Sequence, residues 1–125
     1  MYEKVHAVMI TYRPTEGFLI NLKNLLQQFY FVILVDNTPD IHWDQMLMNF
    51  SYDNLYVIRN HANVGIAKAL NQGIEYAQNK GAEWVITFDQ DTIICADFLN
   101  ILLTECESPL CHNRSRGTLR KVYNG

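Results

Sequence analysis

The run Trp84-Val85-Ile86-Thr87-Phe88-Asp89-Gln90-Asp91-Thr92 changes character at its sixth residue. Its first five residues are apolar or β-branched with no turn former among them, which reads as a buried strand. Two carboxylates with one residue between them follow at once. Asp is depleted in strands and costly to bury, so such a pair at a strand's carboxyl end belongs in the crevice where open α/β sheets bind ligands. Held this close, the two charges repel each other unless a cation lies between them. Mg²⁺ and Mn²⁺ prefer carboxylate oxygens and often keep a diphosphate as a further ligand. Asp89-Gln90-Asp91 is therefore a candidate metal and phosphate site, and the plainer alternative is a solvated turn at a strand end.

Upstream of it, Gly65 to Ala77 reads as a long helix capped by Asn63 and stopped by Gly81. Ile66, Ala69, Leu70, Ile74 and Ala77 form its apolar stripe, and the small Ala67, Ala69 and Gly73 let it lie close to a sheet. Lys68 falls in the first turn, where the helix dipole disfavours a cation, so either a local anion or a weak surface pair accounts for it. Before the helix, Leu55-Tyr56-Val57-Ile58-Arg59 is a strand closed by the polar loop Asn60-His61-Ala62-Asn63. His61 in that loop is either a phosphate contact or a solvated side chain.

Phe31-Val32-Ile33-Leu34-Val35-Asp36 is another apolar run with a carboxylate at its carboxyl end, followed by turn chemistry in Asn37-Thr38-Pro39-Asp40. Asp36 is either the first residue of an Asx-type turn or, at the same sheet edge as Asp89, a buried acceptor for a nucleoside. Val5 to Tyr12 is nearly all apolar and short, as expected of a central parallel strand covered on both faces. Pro14 and Gly17 break it. Phe18, Leu19, Leu22, Leu25, Leu26 and Phe29 then recur at helical steps. Trp43, Met46, Leu47 and Phe50 suggest a short helix, and Phe98 to Leu103 another that begins near Ala96-Asp97.

With 125 residues, 49% of them hydrophobic, the chain is long enough for one domain with its own core. The formal net charge of −3 lacks the basic excess that nucleic-acid binding asks for. Residues 1–107 carry 6 Lys/Arg against 13 Asp/Glu, whereas residues 108–125 carry 4 basic residues and no acid. We therefore expect an α/β domain over 1–107 and a basic, loosely ordered tail over 108–125. Cys95, Cys106 and Cys111 are too few and too clustered for a disulfide framework. Cys106, Cys111 and His112 match no common zinc spacing and lack a fourth ligand. No apolar run approaches the length of a membrane span, and the amino terminus has no signal-peptide core. The expectation is a soluble cytoplasmic chain, at most peripheral to the inner face of a membrane.

Four strands joined by helices, each ending in polar residues on one side, argue a doubly wound, Rossmann-like layer. Val8-Met9-Ile10-Thr11-Tyr12 with Pro14, then Val35-Asp36-Asn37, then Asn63 to Gly73, then Phe88-Asp89-Gln90-Asp91, in that order, resemble family 2 glycosyltransferases, most closely their rhamnosyltransferase branch. The resemblance covers about residues 5–106. It implies a GT-A fold with a mainly parallel four-stranded sheet, binding a nucleoside-diphosphate sugar, dTDP-rhamnose for that branch, with Mn or Mg. By the same resemblance, Thr11 and Tyr12 flank the nucleobase and ribose, Asp36 contacts the base, and Asn63 and Lys68 lie beside the nucleotide. Asp89 then holds the ribose and metal, with Asp91 the more direct metal ligand.

The family's catalytic domain continues beyond the Asp-x-Asp motif, into a half that builds the site for a glycan or lipid-linked acceptor and supplies the general base. That base is not identified here, since Asp97, Glu105 and Glu107 are the carboxylates left after Asp91. The expectation is a donor-binding part of such an enzyme, truncated after the motif. Two other readings stand beside it. One is a nucleotide- or metal-binding remnant without catalysis. The other is a haloacid-dehalogenase-like phosphatase, for which Thr92 comes one residue too early and the motif ends the fourth strand instead of the first.

Overall fold

Four of the apolar runs become neighbouring parallel strands in the computed structural model, which describes residues 2–40, 52–104 and 118–121. In chain order the elements are β1 (Val5–Thr11), α1 (Phe18–Gln28), β2 (Val32–Asp36), β3 (Leu55–Arg59), α2 (Ile66–Asn79), β4 (Trp84–Asp89), α3 (Phe98–Thr104) and β5 (Thr118–Lys121). The sheet order is β3-β2-β1-β4-β5. The chain thus builds outward from β1 to β3, and α2 carries it back across the sheet to lay β4 on the other side of β1. Where the order reverses, between β1 and β4, the connections leave in opposite directions and a crevice opens at the carboxyl ends of the strands.

β1 and β2 are buried along almost their whole length because both faces of the sheet are covered. Ala7, Met9, Val32, Leu34, Ile86 and Phe88 point to one core with Phe18, Leu22, Leu25 and Leu26 of α1 and Phe98 and Leu99 of α3. Val8, Ile33, Val35 and Val85 point to the other, against Ala69 and Ala77 of α2. Side chains that alternate between two helical layers explain why these strands read as unbroken apolar runs.

Helix α2 lies close to the sheet because Gly73 faces it. A Cβ there would meet Val8 Cγ1 at 2.5 Å. Ala67 and Ile66, by contrast, are exposed, Ile66 at 66%, so the stripe that reaches the sheet is narrower than the sequence pattern. The helix ends as expected at Gly81, with φ +95°, where its N–H donates to the Gln78 carbonyl and that of Ala82 to Ala77. Its start differs. Gly65, not Asn63, precedes the first turn, and no side chain caps it.

β5 departs from the expected loosely ordered tail. It pairs antiparallel with β4, Lys121 opposite Trp84 and Thr118 opposite Thr87, and supplies backbone partners along an edge that would otherwise be open. The helix expected around Trp43 to Phe50, and Cys106, Cys111 and His112, lie outside the described residues. Cys95 is exposed and free. Among the described residues no helix is long and apolar enough to cross a membrane.

At the far end of β1 from the crevice, His6 is fully buried beside Tyr30 and Phe31. Its Nε2–H donates to the Glu3 carbonyl at 3.0 Å, which leaves Nδ1 as the bare nitrogen, and that atom has no partner among the described residues. Burial pushes the His6 pKa below its ordinary 6.5, against the opposing pull of the Glu3 carbonyl.

Candidate functional site

A cavity of about 450 Å³ occupies the crevice. Thr11 and Tyr12 line it from the end of β1, Asn37 from the end of β2, and Asn63, Ile66 and Leu70 from the approach to α2 and its first turns. Thr87, Phe88, Asp89 and Gln90 close it from β4. Of the residues expected at a ligand, the structure brings Thr11, Tyr12, Asn63 and Asp89 together. Lys68 is exposed and His61 stands in the loop with φ +54°, neither of them on the cavity wall.

The β2 side of the crevice is built from saturated hydrogen bonds. Asp36 is 2% exposed, and its Oδ1 accepts from Thr11 Oγ1 at 2.9 Å, Thr38 Oγ1 at 2.7 Å and the Thr38 N–H at 3.2 Å. The last of these is the Asx-type turn that the sequence allowed, so Asp36 fastens β2 to β1 and is not itself on the cavity wall. The ladder runs on past the strand ends, with the Asn37 N–H donating to the Thr11 carbonyl and the Asn60 N–H to that of Asp36. An amide chain continues it. Asn60 and Gln72 bond reciprocally at 2.8 and 2.9 Å, Asn60 also donates to Asn37 Oδ1, and Asn37 Nδ2 reaches the Gly65 carbonyl at 3.3 Å. Asn63 Oδ1 accepts from the Gly65 N–H, which holds the entry loop of α2 while Gly65 takes φ +88°.

On the β4 side the two carboxylates are exposed and sit in a turn closed by the Thr92 N–H on the Asp89 carbonyl at 3.1 Å. Such a turn separates its first and third side chains. Asp89 lines the main cavity, and Asp91 lines a second of about 370 Å³ on the α1 side, with Thr15, Asn21 and Asn24. Gln90 lines both. Among the described residues no three His, Cys, Asp or Glu side chains gather into a metal site of their own. Two exposed oxygen donors flanking one residue suit a hard cation that takes its remaining ligands from water and a diphosphate, not a closed protein cage.

Sequence reasoning missed the part played by Gln90. Its Oε1 accepts from the Tyr12 N–H at 2.6 Å, and its own carbonyl accepts from Asn21 Nδ2 at 3.1 Å. Nothing in its residue type separates such a glutamine from a surface one. Thr38 was legible in principle, because a hydroxyl two residues after an Asp is itself a turn signal.

The model of glycosyl transferase family 2 matches residues 7–113, which takes in the whole cavity wall. The chain belongs to glycosyltransferase family 2. A dTDP-rhamnosyl transferase, RfbF of Shigella flexneri, is 37% identical over 106 residues, covering 82% of this chain and 34% of that protein. Two crystal structures of TarS from S. aureus share the fold. The one of residues 1–349 gives a TM-score of 0.65 at 22% identity over 83% of this chain and 32% of that one. The other gives 0.63 at 22% identity, over 83% of this chain and 19% of that one. The chain thus spans about a third of the length of the curated relative. Family 2 membership confirms the resemblance and the GT-A expectation, and it displaces the phosphatase reading.

Proposed function

We propose that this chain is the donor-binding part of a rhamnosyltransferase-like enzyme that takes a nucleoside-diphosphate sugar. The observation that carries the proposal is the cavity at the β1/β4 switch point, walled by Thr11, Tyr12 and Asn63 and bordered by the exposed Asp89, with Asp91 in the same turn. The similarity to a dTDP-rhamnosyl transferase supports dTDP-rhamnose as the donor. In this reading Tyr12, 45% exposed, offers a ring face to the nucleobase, and Thr11 and Asn63 supply polar contacts to the nucleoside. Asp36 holds that wall in place, with a contact to the base through its carboxylate as the finer expectation. Lys68, in the first turn of α2 and two residues after the cavity-lining Ile66, is assigned to the phosphates in this reading.

Asp89, from the cleft, and Asp91, across Gln90, would hold Mn or Mg on the diphosphate. Such an ion, when bound, stabilises negative charge on the departing diphosphate. The attack itself needs a base within hydrogen-bond reach of the acceptor hydroxyl. We assign no residue to it, and an acceptor, glycan or lipid-linked, belongs to the enzyme of which this is the donor part. The proposal extends to a role in cell-surface polysaccharide synthesis at the cytoplasmic side of a membrane.

Isothermal titration tests the proposal. dTDP or UDP should bind in Mn²⁺ and bind markedly more weakly in EDTA. Equal affinity in the two, or none in either, would overturn it.

A further inference from the structure

Tyr12 lines the cleft and Arg13 follows it, and the backbone of the two is under restraint from two sides. Arg13 has φ +45°, a left-handed conformation that a residue bearing a Cβ disfavours, and Pro14 after it narrows the choice of backbone further. Such a conformation persists where neighbours over-determine it. The Arg13 N–H donates to Thr38 Oγ1 at 2.7 Å, and that hydroxyl donates in turn to Asp36. The Tyr12 N–H donates to Gln90 Oε1. One anchor therefore comes from the β2 side and the other from the carboxylate turn itself. Arg13 also pairs with Asp40 at 3.4 Å, but both side chains are more than half exposed, so that contact holds little.

We propose that Gln90 is a positioning residue: its side-chain carbonyl holds the Tyr12–Arg13 backbone in the shape that receives the nucleoside, and thereby fixes the nucleoside wall to the carboxylate turn. The inference rests on the nucleotide-sugar reading of the cleft. An N–H can be satisfied only by an acceptor, so the orientation of the Gln90 amide follows from the contact. A carboxylate at this position would accept the same hydrogen bond but add a third negative charge to Asp89 and Asp91. Asn21, holding the Gln90 carbonyl from α1, fixes the base from which the side chain reaches.

The test compares the wild-type chain with Gln90→Met, which keeps the length and loses the acceptor, and with Gln90→Glu, which keeps the acceptor. Amide hydrogen exchange is read on the peptide spanning Ile10 to Pro14, and dTDP and UDP are titrated in Mn²⁺. Gln90→Met should exchange faster at that peptide, with β1 and β2 interior peptides unchanged, and should weaken nucleotide binding about three- to tenfold, the scale of one net hydrogen bond. Gln90→Glu should restore the protection. Unchanged protection in Gln90→Met would overturn the proposal whatever the affinity does, and weaker binding with that protection intact would make Gln90 a direct ligand contact. Absence of binding by the wild-type chain would instead overturn the nucleotide-sugar reading, and the exchange result would still show whether the restraint exists.

Discussion

The two walls of the crevice stand at the same edge of one sheet and are made differently. On the β2 side a carboxylate is buried, and one of its oxygens accepts three hydrogen bonds from Thr11 and Thr38. On the β4 side two carboxylates stand exposed in a turn, one residue apart. A charge buried with its donors in place is a piece of scaffold, since water is excluded and each donor depends on it. Exposed charges keep their oxygens open to water and to a cation, and little else in the fold depends on them. The difference separates the Asp that shapes the site from those available to a ligand, although all three stand at or just past the end of an apolar strand and look alike in the sequence.

Stability should break the symmetry most sharply. Asp36→Ala is expected to destabilise the fold by roughly 2–4 kcal/mol, because it leaves buried Thr11 and Thr38 donors without their acceptor. Asp89→Asn should stay within about 0.5 kcal/mol of wild type. Urea denaturation of both variants measures the contrast, and equal losses would mean that the two walls are built alike.

Ligand binding should show the reverse order. Asp91→Asn is expected to weaken Mn²⁺-dependent dTDP binding by ~1–3 kcal/mol, the scale for a charged hydrogen-bonding group, with little change in melting temperature. Titration beside a thermal melt decides it, and a variant that melts early but binds normally would reverse the assignment of roles.

The smallest effect comes from the opposite end of β1 and serves as a control. The folded-state pKa of His6 is depressed by burial, so its contribution to stability is complete above pH 6.5 and falls as pH drops below that value, while the unfolded chain takes up the proton first. Melting temperatures of wild type and His6→Gln between pH 5 and 7.5 should converge toward the acid end. Parallel curves would show that His6 contributes nothing to any acid sensitivity of the fold.

What the sequence reveals follows the same division. β1 to β4 and the three described helices are legible because burial on one face or two writes a period into the chain. β5 is not, since Thr118-Leu119-Arg120-Lys121 has a single apolar residue, and its extended form comes from pairing with β4. The strand-end carboxylates are legible as a set, yet their burial is a tertiary fact. Asp36 is enclosed because Thr11 lies opposite it in the register of β1 and β2. The turn that turns Asp91 away from the main cavity, and the reach of Gln90 to Tyr12, depend on how two loops distant in sequence meet.

The switch point has a consequence in time as well as in space. β2 begins its pairing with β1 at Ala7 and Val32, and β3 with β2 at Val32 and Leu55, separations of 25 and 23 residues, whereas Val5 and Trp84 join β1 to β4 across 79. Closing the longer loop costs more chain entropy before any contact repays it, so β4 is expected to dock after the three-stranded half has formed. Pulse-labelled exchange during refolding should then protect β4 amides later than those of β2. Until then the chain would carry only the β1–β2 wall, without the Gln90 acceptor for the Tyr12 N–H, and the crevice would come into being only when β4 docks.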